Sequence, residues 1–134
     1  MQGTLKSIIL TKIRRSRKKV FLRPDFERFA GYDQVGRILK ELTREGRLIR
    51  IGYGLYAKAR PNVFTGKPMI DAERGFEQAA LEALKRLKVD WTYGPAMKTY
   101  QQGGTQIPAK LEVVIGQRFH RKIGTDRQEL GIVL

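Results

Sequence analysis

Between Phe21 and Tyr56 four short elements follow one another at lengths that leave little freedom in how they can pack. Lys19-Val20-Phe21-Leu22 has the β-branched and aromatic content of a short strand. Pro24 then opens a helix, because its fixed φ suits a first turn, and Asp25 and Glu27 stand where the positive end of the helix dipole favours carboxylates. Phe26 and Phe29, three apart, give that helix one apolar face, and Gly31 can take the left-handed conformation that stops it. Tyr32 to Glu45 reads as a second helix. Val35, Ile38, Leu39 and Leu42 recur at the spacing of a single buried stripe, and Gly46 ends it.

At about 100° per residue, Asp33, Arg37, Lys40 and Arg44 fall opposite that stripe, with Gln34 and Glu41 at one margin. Such a face either solvates an amphipathic helix or reads a partner. The segment "GRLIRIGYGLYAKAR" favours the second role. Leu48 to Ile51 and Leu55 to Ala57 are β-type runs around Gly52-Tyr53-Gly54, so the chain is expected to double back as a hairpin. Strand, helix, turn, helix and hairpin in this order make a winged helix-turn-helix. Arg47, Arg50, Tyr53, Lys58 and Arg60 decorate its wing with donors for phosphates. Leu48, Ile49 and Ile51 cannot all face one way, which leaves open which wing arginine points outward.

The charge lies where the motif lies. Residues 1–60 carry 16 Lys and Arg against 5 Asp and Glu, and residues 61–134 carry 11 against 8, so +11 of the net +14 sits in the first half. A basic balance shared by many classes of protein becomes specific when it coincides with such a motif. Arg14, Arg15, Arg17, Lys18 and Lys19 form a near-continuous run after a helical pattern of Leu5, Ile8, Ile9 and Ile13. Two roles stay open for that run: a solubilising helix end favoured by the dipole, or phosphate contacts.

The absence of cysteine excludes disulfides, thiolate catalysis and zinc fingers together. The single histidine, His120, has no cluster of carboxylates around it in sequence and is expected on a strand surface. No catalytic residues, metal or cofactor are expected. No apolar run approaches the roughly 18 to 20 residues that span a bilayer, and Met1 to Lys6 lack the features of a signal peptide. The expectation is a cytoplasmic protein that does not enter a membrane.

Residues 61–74 read as a Pro- and Gly-rich connector between a domain at 1–60 and one at 75–134. Phe76 to Val89 is a helix, with Phe76, Ala80, Leu84 and Leu87 on one face and Glu82 to Arg86 as a favourable i,i+4 pair. Trp91 and Tyr93 are expected to cover the core, Met97 to Tyr100 to form a helical turn, and Gly103-Gly104 to bend. Leu111 to Ile115, Arg118 to Ile123 and Glu129 to Leu134 read as an antiparallel meander, with Gly116-Gln117 as a tight hairpin connection. The fold class is therefore α+β: a winged helix-turn-helix followed by a small module of one helix over a meander.

The chain resembles the AbiEi-type antitoxins, the autorepressor components of type IV toxin-antitoxin and phage abortive-infection systems. In the first half the resemblance rests on "VFLRPDF", on "ILKELTREGRLIRIGYGLY" and on the basic helix before them. In the second it rests on "YQQGGTQIPAKLEVVIG", with Thr105-Gln106-Ile107-Pro108 its most distinctive piece, and on "HRKIG" and "ELGIVL". It implies a repressor that binds repeats in its own promoter and counteracts a nucleotidyltransferase-like toxin without a stable complex.

From these residues the expected mechanism is insertion of the helix beginning near Asp33 into a major groove of double-stranded DNA. Asp33, Gln34 and Arg37 would meet base edges, although Asp33 can instead cap the helix. Lys40, Arg44, the wing and the run from Arg14 to Lys19 would hold phosphates, and Gly36 would leave room for close approach. Self-association on DNA is a further expectation for the second module. The alternatives are an RNA- or ribosome-associated binder, which would expose more aromatics for unstacked bases, and an adaptor that contacts protein. The two halves are expected to separate, residues 1–60 keeping weak DNA binding.

Overall fold

The structure, a computed structural model, describes residues 3–104 and 110–133. Thr105 to Pro108, the most distinctive piece of the resemblance, lies outside the described residues. The chain folds as an α+β protein. Helix α1 (Leu5–Arg15) starts at Thr4, whose hydroxyl accepts the Ser7 N–H at 3.1 Å, and it buries Ile9 and Ile13. Strand β1 (Val20–Phe21), a 3-10 turn at Arg23–Phe26, helix α2 (Tyr32–Arg44), and strands β2 (Leu48–Gly52), β3 (Leu55–Pro61) and β4 (Pro68–Ile70) follow. The strands form an antiparallel sheet in the order β1-β3-β2, with β4 also paired to β3.

The helix expected from Pro24 to Gly31 is only that single 3-10 turn. The Asp25 carboxylate folds back to accept the Leu22 N–H at 2.8 Å, and Phe26 is buried at once against Phe21, ring centroids 6.0 Å apart, so the chain is anchored before a second turn can form. Gly31 is correspondingly not left-handed. It sits at φ −66° as the residue that starts α2, whereas Gly46, at φ +79°, does end that helix region as expected.

The mixed pattern of Leu48, Ile49 and Ile51 has a simple cause: both faces of the sheet are covered. Phe21, Leu48 and Tyr56 pack with α1 and α2 in one cluster, while Val20, Ile51, Leu55 and Ala57 pack with the second half of the chain in another. Alternation then places apolar residues at both parities, as in any strand buried on two sides.

Helix α3 (Gly75–Arg86) supplies that second cover through Phe76, Ala79, Ala80, Ala83 and Leu84. Its Glu82 and Arg86 do not pair with each other as expected. One Glu82 carboxylate oxygen accepts the N–H groups of Lys19 and Val20, both at 2.6 Å, and Arg86 forms an ion pair with Asp25. Both ties cross from the second half to the first. Glu82→Ala is expected to strip two part-buried donors of their acceptor and to cost about 1–3 kcal/mol, Glu82→Gln less because one carbonyl remains. Urea denaturation of the two variants separates them.

Strand β5 (Thr92–Tyr93), helix α4 (Pro95–Gln101) and strands β6 (Glu112–Val114) and β7 (Gly131–Val133) complete the described chain. The meander is not formed. β6 pairs antiparallel with β5 and parallel with β7, and residues 118–123 form no strand. Phe119 and Ile123 are instead buried in the shared core, after which Gly124 bridges to Glu129 across a tight turn. Burial of these two side chains outcompetes a ladder that Gly116-Gln117 would have had to close. Trp91 packs on the same core and meets Tyr93 edge-on at 5.0 Å, as cover.

The boundary expected at residue 60 is thus crossed by one hydrophobic core, and the expected connector 61–74 contains β4. Among the described residues no helix is long and apolar enough to cross a membrane.

Candidate nucleic-acid interface

Helix α2 turns Val35, Ile38, Leu39 and Leu42 inward and leaves Asp33, Gln34, Arg37, Lys40 and Arg44 exposed, as the periodicity predicts. Asp33 lies in the first turn and makes no side-chain cap, since Gly31 holds the N-terminal position. Gly36 does not leave room for a partner. It is buried, and a Cβ there would lie 2.6 Å from the Arg23 guanidinium carbon. Arg23 also stacks on Tyr32, 4.4 Å from the ring centroid, with its Nε buried and without a partner among the described residues. The interior glycine, which costs a helix roughly 1 kcal/mol, was the local signal that another group packs there.

At the far end of α2 the two glutamates are offset by a lysine from α1. The Lys6 ammonium of α1 bonds the Glu45 carboxylate and lies 3.8 Å from Glu41. The hydrogen bond to Glu45 holds the Lys6 pKa above its ordinary value. Arg37, Lys40 and Arg44 are therefore the exposed cations of this face, with Asp33 as the acidic residue at its start.

In the β2–β3 hairpin, Arg50 lies opposite Tyr56. By alternation it shares the face of Leu48 and Tyr56, the face on which α2 packs. Its Nε donates to the Gly52 carbonyl at 3.1 Å, and Tyr53 is 72% exposed at the tip beside Gly54, φ +66°. Arg47 is exposed at the other end of β2. Arg50 and helix α2 thus lie on one side of the sheet, with Tyr53 exposed at the end of the hairpin.

The remaining expected contacts lie elsewhere. Lys58 is half-buried, and its ammonium donates to the carbonyls of Ser16 at 2.9 Å and Arg14 at 3.3 Å, closing the end of α1. Burial, reinforced by Lys19, lowers its pKa. This lysine is committed to the fold rather than to a phosphate. Arg14, Arg15, Arg17 and Lys18 are exposed beside it and Lys19 is half-buried. They stand at the end of the hairpin away from its tip, about 10–13 Å along the strand at roughly 3.3 Å per residue. Lys18 also borders a hollow of about 920 Å³ with Lys85, Lys88 and Trp91.

Three further aromatics are exposed besides Tyr53: Tyr32, Phe64 at 93% and Tyr100. Arg23 covers one face of Tyr32. His120 is exposed outside any strand and accepts the Arg118 Nε–H at 2.9 Å. Among the described residues no group of three His, Cys, Asp or Glu could hold a metal.

The β2–β3 hairpin has a neighbour that local sequence did not reveal. The Gly124 N–H donates to the Ile51 carbonyl at 2.8 Å, the Arg121 guanidinium donates to the Tyr53 carbonyl at 3.2 Å, and the Lys122 carbonyl lies against Gly52, where a Cβ would come within 2.8 Å. No protein-family model matches the chain, and no curated protein matches its sequence.

Proposed function

We propose that the protein is a sequence-specific double-stranded DNA-binding repressor acting through a winged helix-turn-helix. The observation that carries this reading is that helix α2, with Gln34, Arg37 and Lys40 exposed, packs on the same side of the sheet as Arg50 of the adjoining hairpin. A helix with such a face fits a major groove, and a hairpin beside it reaches the flanking phosphates. The concentration of charge in residues 1–60 supports the same partner. The resemblance to AbiEi-type antitoxins extends the proposal to repeats in the protein's own promoter and to neutralisation of a nucleotidyltransferase-like toxin in the cytoplasm. The exposed aromatics keep RNA as the second reading.

The test is competition binding of the full chain to its upstream DNA, to random duplex and to single-stranded RNA. Arg37→Ala is expected to weaken the specific site by about 1–3 kcal/mol more than random duplex, the worth of a bidentate base contact. Lys40→Ala and Arg50→Ala are expected to weaken both duplexes alike. Equal affinity for single-stranded RNA, or a folded Arg37→Ala protein with unchanged preference, would sink the assignment.

A further inference from the structure

The segment from Arg121 to Gly124 comes from the half of the chain that carries little net charge, yet it docks on the wing tip. Ile123 anchors it, fully buried in one cluster with Ile51 and Leu55. The bond from Gly124 to Ile51 falls at the irregularity between Arg50 and Gly52, where the β2–β3 register shifts and β2 has a carbonyl to spare. Gly52 is small enough for the Lys122 backbone to pass against it. The two cations that immediately precede the anchor are thereby fixed beside the tip rather than carried on a loose loop. Arg121 is held through the Tyr53 carbonyl, and the Lys122 side chain is 81% exposed. Arg50, Tyr53, Lys122 and Glu129 border one hollow of about 370 Å³, and the Glu129 carboxylate lies 3.4 Å from the Lys122 ammonium. An exposed pair of that kind is weak and yields to a stronger anion.

We infer that Arg121 and Lys122 form a second storey of the wing that contacts phosphates of the bound duplex, so that the nucleic-acid interface is built by both halves of the chain. This rests on the duplex-DNA reading above. Because the backbone of the segment is already fixed beside Arg50, no loop has to be ordered on binding, and long cationic side chains placed there suit the duplex backbone rather than base edges. The contact is therefore expected to be indifferent to sequence and sensitive to salt.

The experiment measures affinity against salt for the full chain, for Lys122→Ala, for Arg121→Gln with Lys122→Ala, and for Lys67→Ala near the far end of β3. Each phosphate contact contributes about 0.9 to the slope of log affinity on log salt. The single variant is expected to flatten the slope by about 0.9 and the double variant by about 1.8, equally for specific and random duplex, while Lys67→Ala leaves it unchanged. Circular dichroism confirms that each variant is folded. A wild type that binds duplex, with a double variant of unchanged slope or a Lys67→Ala slope that falls as much, overturns the inference alone. A wild type that does not bind duplex overturns the inference together with the DNA reading.

Discussion

A chain ending at Arg60 is expected to be unfolded, and to lose duplex binding with its fold. Val20, Ile51 and Leu55 are wholly buried, in a cluster completed by residues beyond 60. Burying such side chains is worth about 1.5–3 kcal/mol each. Exposing three of them forfeits roughly 5–9 kcal/mol, comparable with the entire stability of a small domain, about 5–15 kcal/mol. The truncation also removes Glu82 from the Lys19 and Val20 amides and Arg86 from Asp25. Circular dichroism and thermal melting of the fragment check the first outcome, and electrophoretic mobility shift the second. If the antitoxin proposal holds, full-length protein rescues cells carrying the neighbouring toxin gene and the fragment does not. A cooperative melt from residues 1–60 would show that the first cluster, built on Phe21, Phe26, Leu39 and Leu42, is sufficient by itself.

The largest effect expected on binding is that of salt. If roughly six phosphates are contacted, log affinity falls with log salt at a slope of about −5, and affinity drops on the order of a thousandfold between 50 and 200 mM. Arg37, Lys40, Arg44, Arg47 and Arg50 supply exposed cations in the first half, and Arg121 and Lys122 add to them. Lys58 is not counted, since its ammonium is held by the carbonyls of Ser16 and Arg14. Titration by fluorescence anisotropy at four or more salt concentrations measures the slope. A value near zero would mean that these cations are solvated surface and nothing more.

The elements whose cause is local were readable from the chain. The stripe of Val35, Ile38, Leu39 and Leu42 and the positive-φ position of Gly46 are properties of a dozen consecutive residues, and α2 forms as that pattern requires. The hairpin around Gly54 and the helix built on Phe76, Ala80 and Leu84 are of the same kind. Where expectation and structure part, a distant group has intervened. Arg23 fills the space at Gly36, Phe119 and Ile123 turn inward instead of extending a strand, and Glu82 leaves Arg86 for the edge of β1.

By itself, then, the sequence determined the α+β class, the exposed face of α2, the hairpin and the concentration of charge, because periodicity, turn chemistry and composition act over short stretches. Tertiary structure alone decided that the sheet is buried on both faces, that Lys58 caps α1, and that Arg121 and Lys122 stand against the tip of the β2–β3 hairpin. The Lys58 and Arg121 bonds join residues 42 and 68 positions apart. They are set by how closely whole elements can approach once their apolar faces are buried, a quantity that no local pattern encodes.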